Sequence, residues 1–176
     1  IPPTTTAGTT YYQCVISAIL NGHSCSMTTS PVYCKVLNAV DYSTNGFYAN
    51  QTICNGGTPQ TLGVTGAGNT GATYAYQWQS SDNASSGFTD IVSATSSTYI
   101  PPTTIGTRYY RCVITSTVDE QECTKTTDPV YVTVLSVTAT ASNAAQTLCT
   151  DGTPTALTAS GSSEPAASLT YQWKVS

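Results

Sequence analysis

The sequence predicts an all-β chain of tandem units, and three observations carry that expectation. Roughly three residues in ten are Thr or Ser while only 8% are charged, a composition typical of turn-rich β proteins. Stretches such as Tyr74-Ala-Tyr-Gln-Trp78 and Tyr109-Tyr-Arg-Cys-Val-Ile114 alternate large apolar and polar residues, the period-2 pattern of half-buried strands. The chain also repeats itself. Gln51-Thr-Ile-Cys54 recurs as Gln146-Thr-Leu-Cys149 and Tyr76-Gln-Trp78 as Tyr171-Gln-Trp173, both 95 residues on. Ile1-Pro-Pro-Thr-Thr recurs from Ile100, and Tyr11-Tyr-Gln-Cys14 recurs as Tyr109-Tyr-Arg-Cys112, 98 residues on. A unit of that size can close one core.

The repeat divides the chain. Residues 1–37 read as the last two strands of a unit, Thr9 to Ala18 and Pro31 to Leu37, with Asn21-Gly22 in the loop between them. Residues 38–50 are a linker and first strand, 51–135 a complete unit, 136–145 a second linker and first strand, and 146–176 the opening half of a third unit. Within the complete unit, Leu62 and Val64 share one face of a second strand, and Tyr74, Tyr76 and Trp78 share one face of a third. Phe88 to Val92 returns from a hairpin tip, and Thr98-Tyr99-Ile100 is a short strand stopped by Pro101-Pro102. A sixth strand turns Tyr110, Cys112 and Ile114 to one side, Asp119 to Glu122 is its acidic loop, and a last strand sends Val130, Val132 and Val134 inward. The candidate core signature is Trp78 and Tyr110, with Trp173 and Tyr12 as their repeats. Ile1 is not an initiator, so the segment is expected to be a processed product or a window on a longer chain.

Composition argues against several functions. A net charge of −4 with five basic residues offers no cluster for phosphate, so nucleic acid is not an expected partner. No apolar run is long enough for a membrane span. His23 is the one histidine and has no carboxylate motif beside it, which leaves no nucleophile–base–orienter set and no expectation of catalysis. Asp119, Glu120 and Glu122 lack the alternating ligand spacing of a calcium loop, so no metal or other cofactor is expected. Asn50-Gln-Thr52 and Asn83-Ala-Ser85 match the acceptor pattern for N-linked sugar.

About seven short strands, a Trp on the third and a Tyr two residues before a Cys on the sixth resemble an immunoglobulin-like β-sandwich. The inter-sheet disulfide of antibody domains is missing, because the position facing Cys112 falls near Val64. Gln51-Thr-Ile-Cys-Asn-Gly-Gly-Thr-Pro59, Tyr76-Gln-Trp-Gln-Ser-Ser81, Thr98-Tyr99, Tyr109-Tyr-Arg111 and Cys123 more closely resemble the Ig-like tandem repeat of large secreted and surface adhesin-type proteins of Bacteroidota, cargo of the type IX secretion system in gliding and biofilm adhesion. The resemblance spans the whole chain and implies an extracellular location.

Seven cysteines and no metal-ligand spacing also suggest disulfides and an oxidising compartment. Three cysteines in the complete unit allow three pairings, among which the residues alone do not choose. The resemblance implies Cys54–Cys123, closing a loop worth about 4 kcal/mol on the chain-entropy account, with Cys112 an added, buried thiol. Cys14 and Cys34, read as adjacent inward positions on neighbouring strands, form a second candidate pair. Cys25 and Cys149 lack partners within the segment.

Three functional readings follow. The leading one is a non-catalytic structural segment of an extracellular adhesin, stalk or filament, giving reach and mechanical cohesion through neighbouring units of the same or adjacent chains. The second is a module binding surface glycans or proteins through Tyr42, Phe47, Tyr48 or Tyr109. In the third, the two half-units complete each other head to tail between molecules and polymerise.

Overall fold

One long strand, Gly106–Val118, organises the central part of the chain, and its alternation explains its place there. The computed structural model describes residues 1–3, 5–46, 48–142 and 145–175, the side chains of residues 45 and 142 excepted. Among the described residues the chain is all-β. In order its strands are β1 (Gly8–Tyr12), β2 (Val15–Leu20), β3 (His23–Thr28), β4 (Val32–Val36), β5 (Asp41–Gly46), β6 (Gln51–Cys54) and β7 (Leu62–Ala67). They continue as β8 (Thr73–Ser81), β9 (Thr89–Asp90), β10 (Thr98–Tyr99), β11 (Gly106–Val118), β12 (Gln121–Thr126), β13 (Val130–Ser142) and β14 (Thr158–Glu164).

Two sheets face each other in the centre. One is β10-β7-β5; the other runs β9-β8-β11-β13, with β12 on the far half of β11 and β6 parallel to β13. Along β11, Tyr110, Cys112, Ile114, Ser116 and Val118 are buried, while the residues between them are half-exposed. Tyr110, Cys112 and Ile114 meet Leu62 and Val64 of β7, Trp78 of β8, and Val130 and Val132 of β13 in one cluster that Val40 joins. The inward residues expected of these strands are therefore the inward residues observed. Each fully buried Leu, Val or Ile of this kind contributes about 1.5–3 kcal/mol.

Two features depart from expectation. The stretch between Ala18 and Pro31 is a tight hairpin, β2–β3, with Asn21 and Gly22 at positive φ. Its counterpart β11–β12 turns on Asp119 and Glu120, again both at positive φ. Two consecutive left-handed residues match the twist of a two-residue hairpin, so the loop shrinks to Asp119 and Glu120 while Gln121 and Glu122 open β12. The other departure is at 170–175, where Tyr171-Gln-Trp173 forms no strand. Its counterpart β8 is held by a nine-residue ladder to β11, and no strand pairs with 170–175 among the described residues.

Candidate functional site

Aromatic packing in the central unit decides which side chains remain for contact. The Trp78 ring is fully buried, its Nε1 donates to the Ser96 carbonyl at 2.9 Å, and it stacks on Tyr99, which in turn meets Tyr110. Tyr48 lies against the other side of Trp78. Its hydroxyl donates to the Asp128 carbonyl and sits 2.5 Å from Thr127 Oγ1. Thr127 Oγ1 accepts the Cys112 N–H at 2.9 Å, so its own proton is left to point at Tyr48. Burial raises the Tyr48 and Tyr99 phenols above their ordinary values, pushes Tyr110 up to about 12 and the Cys112 thiol up to about 11.

The expected contact aromatics are therefore largely absorbed into structure. Tyr42 packs on the core and its hydroxyl accepts the Asp128 N–H. Tyr48 is used as above, and Phe47 lies outside the described residues. Tyr109 meets Tyr131 edge-on at 6.1 Å on the outer face, and Tyr11 meets Tyr33 at 6.0 Å in the preceding unit. Of the four expected contact aromatics, Tyr109 with its neighbour Tyr131 is the one placed on the outer face.

The cysteine pairings are corrected. All seven cysteines are free. Cys54 lies opposite Leu135, beyond the Gly106 end of β11, while Cys123 lies opposite Ser116. Ten residues of strand separate those levels, roughly 30 Å, whereas a disulfide requires Cα atoms within about 7 Å. Cys34 pairs with Thr10, four residues short of Cys14, so those two are more than 10 Å apart by the same rise. The tight β2–β3 hairpin sets that offset: it lays Cys14 opposite Thr29, whose N–H donates to the Cys14 carbonyl and whose Oγ1 accepts the Cys14 N–H, and not opposite Cys34.

His23 is exposed at the tip of β2–β3. No cluster of three His, Cys, Asp or Glu that could hold a metal occurs among the described residues. Asp119 instead pairs with Lys35 at 2.5 Å, joining the β11–β12 tip to β4 of the preceding unit. Exposed as it is, that pair contributes less than about 1 kcal/mol. Hydrogen bonds between Asn38 and Asn69, with Asn38 Nδ2 donating to the Gly68 carbonyl, fasten the same junction. Gly68 has φ +121°, and a Cβ there would meet the Ala39 carbonyl oxygen at 2.6 Å, so only glycine fits this approach.

The second junction is built differently. Strand β13 runs unbroken through Leu135 and Ser136: Val130 to Val134 pair with β11, and Ser136 to Ser142 pair with β14. Local motifs also recur across it. Gln51 clasps the Gln60 backbone by two hydrogen bonds and Gln146 clasps Thr155 in the same way. Gly57 N–H donates to the Cys54 carbonyl, as Gly152 N–H does to Cys149.

What lies open are the apolar side chains of β2, β3 and residues 146–175. Ile16 is 64% exposed where Ile114 is fully buried, and Leu157 is 57% exposed where Leu62 is fully buried. Trp173, expected in a core like Trp78, is 58% exposed, and Tyr12 is only half-buried. A groove of about 410 Å³ runs over β2 and β3, lined by Ile16, Ala18, Cys25 and Met27. The repeat identifies these positions in the sequence, but their exposure depends on which strands lie beside them.

No curated protein matches the chain. The model of a family described as a domain of unknown function, DUF8696, matches residues 44–136. Those limits run from within β5 to just past Leu135, enclosing the central sandwich. That match covers more than half of the sequence, and the chain belongs to the DUF8696 family.

Proposed function

We propose that the chain is a segment of a tandem array of immunoglobulin-like units, non-catalytic and extracellular, whose work is reach and mechanical cohesion at a bacterial surface. The observation that carries this reading is β13, which closes the central unit and opens the next without a spacer. A continuous strand leaves no flexible linker at which neighbouring units could tumble independently. The recurring Gln clasp and glycine turns support units of one kind, as does the resemblance to adhesin repeats.

The central unit is also wired to resist tension. Its entry strand β6 runs parallel to its exit strand β13, with Gln51 to Cys54 paired to Val132 to Leu135. Pulling on the two ends slides these strands past one another, so their hydrogen bonds must break together rather than one by one. Asn55 N–H extends the ladder by donating to the Leu135 carbonyl at 2.7 Å. Asn55→Pro removes that donor, and single-molecule stretching is expected to show a clear drop in unfolding force. An unchanged force for Asn55→Pro would contradict the load-bearing role of this parallel pair.

A further inference from the structure

A cleft of about 240 Å³ opens beside the start of β11, lined only by residues of the central unit between 82 and 132. Across it, Arg108 Nη2 donates to Asp82 Oδ1 at 2.8 Å. Both side chains are exposed, so the pair contributes less than about 1 kcal/mol to stability. The preceding unit carries Thr10 at the position of Arg108, and there β1 pairs with β4 in the register that β11 keeps with β13. The fold of a unit therefore does not require this charge.

Tyr110 is the second observation. Its side chain is 2% exposed yet lines the cleft, and its hydroxyl makes no hydrogen bond among the described residues. Among those residues that are not exposed, Ser116 Oγ is the one side-chain polar atom both sealed from solvent and unpaired. The Tyr110 hydroxyl is therefore not sealed, and the cleft is where it opens. After burial and Tyr99, Arg108 and Asp82 are the groups felt by its phenol, Arg108 lowering the pKa and Asp82 raising it, so both charges lie close to the hydroxyl. A buried tyrosine hydroxyl usually finds a partner within the protein. This one is left for what enters the cleft.

We propose that the cleft binds one neutral sugar ring, with Tyr110 and Arg108 donating to its hydroxyls and Asp82 accepting from them. Charge selects this class of ligand. Arg108 and Asp82 cancel, so neither an anion nor a cation finds net attraction, whereas the pair presents donors and acceptors side by side, as adjacent sugar hydroxyls require. Pro102 and Ile105 add an apolar wall for the C–H face of the ring. Size agrees, because the cleft is smaller than the roughly 300–1,000 Å³ of sites for drug-sized ligands. It admits one ring. The site gives grip to a unit whose proposed work is mechanical, and it stands without that reading because the cleft is complete within the central unit.

NMR titration of the ¹⁵N-labelled 176-residue chain tests this. Glucose, galactose, mannose and N-acetylglucosamine are added in turn, with inorganic phosphate and calcium as charged probes. At least one sugar is expected to bind in the millimolar range and move the amides of Gly106, Arg108 and Tyr110, while the charged probes leave them in place. Arg108→Thr, Tyr110→Phe and Asp82→Ala are each expected to weaken that binding about tenfold or more, with the amide pattern of β13 unchanged. Asp82 is on the exposed rim, so Asp82→Ala keeps the core intact whatever the other two do. No movement with any of the four sugars, movement with phosphate or calcium instead, or full affinity in a folded variant overturns the proposal. The stretching experiment on Asn55 reads the β6–β13 pair alone, so either idea can fail without the other.

Discussion

The backbone N–H of Cys112 donates to Oγ1 of Thr127 at 2.9 Å, in the middle of the longest strand and inside the core. Ninety-eight residues earlier, Cys14 and Thr29 make the same bond at 3.0 Å on an open face. One motif thus occurs once buried and once exposed, and this separates the effect of burial from that of the bond. Thr127→Val is expected to cost about 1–3 kcal/mol, because it strands a buried N–H. Thr29→Val, where water can replace the hydroxyl, should stay within about 0.5 kcal/mol. Urea unfolding of the two variants checks the difference.

Trp78 and Trp173 form a second such pair. Trp78→Ala should cost about 3–5 kcal/mol and bring down near-UV dichroism, while Trp173→Ala should leave the central unit's midpoint unchanged. Acrylamide should quench Trp173 and leave Trp78 protected, in keeping with their burial.

Much of this was legible in the sequence, for a physical reason. Period-2 alternation reports which residues face inward, so Tyr110, Cys112, Ile114, Leu62, Val64 and Val132 were assigned correctly without coordinates. Register was not legible. The tight β2–β3 turn at Asn21 and Gly22 lays Cys14 opposite Thr29 and leaves Cys34 opposite Thr10, and the parallel placement of β6 puts Cys54 at the end of the sandwich away from Cys123. Both depend on long-range pairing that composition does not encode. The exposure of Trp173 was likewise hidden, because burial belongs to a strand and its neighbours together.

Alkaline pH should unfold the central unit early. Tyr48, Tyr99, Tyr110 and Cys112 all hold their protons more tightly when folded, chiefly because burial disfavours the charged form. The folded state therefore binds more protons than the unfolded chain above the ordinary Cys and Tyr values. Stability is fully present below about pH 8 and falls from about pH 9 to pH 12 as the pH passes the ordinary and then the raised values. Tyr110→Phe should flatten that fall, measured by urea midpoints across the range.

The thiols should separate by exposure. Cys14, Cys25, Cys54 and Cys149 are exposed, whereas Cys112 is buried with a raised pKa. Brief alkylation of the native chain, with no reductant added, should modify those four and spare Cys112, and peptide mass spectrometry reads the outcome. Protection of Cys54 and Cys123 together, released only by a reductant, would restore the pairing that the strand register excludes.

Amide ¹⁵N relaxation tests the account most directly, because the central claim is that β13 makes two units one stiff body. The amides of β14 should report the same rotational correlation time as those of β11, and insertion of four glycines between Leu135 and Ser136 should shorten the β14 value alone. A β14 correlation time already shorter than that of β11 before the insertion would contradict the claim.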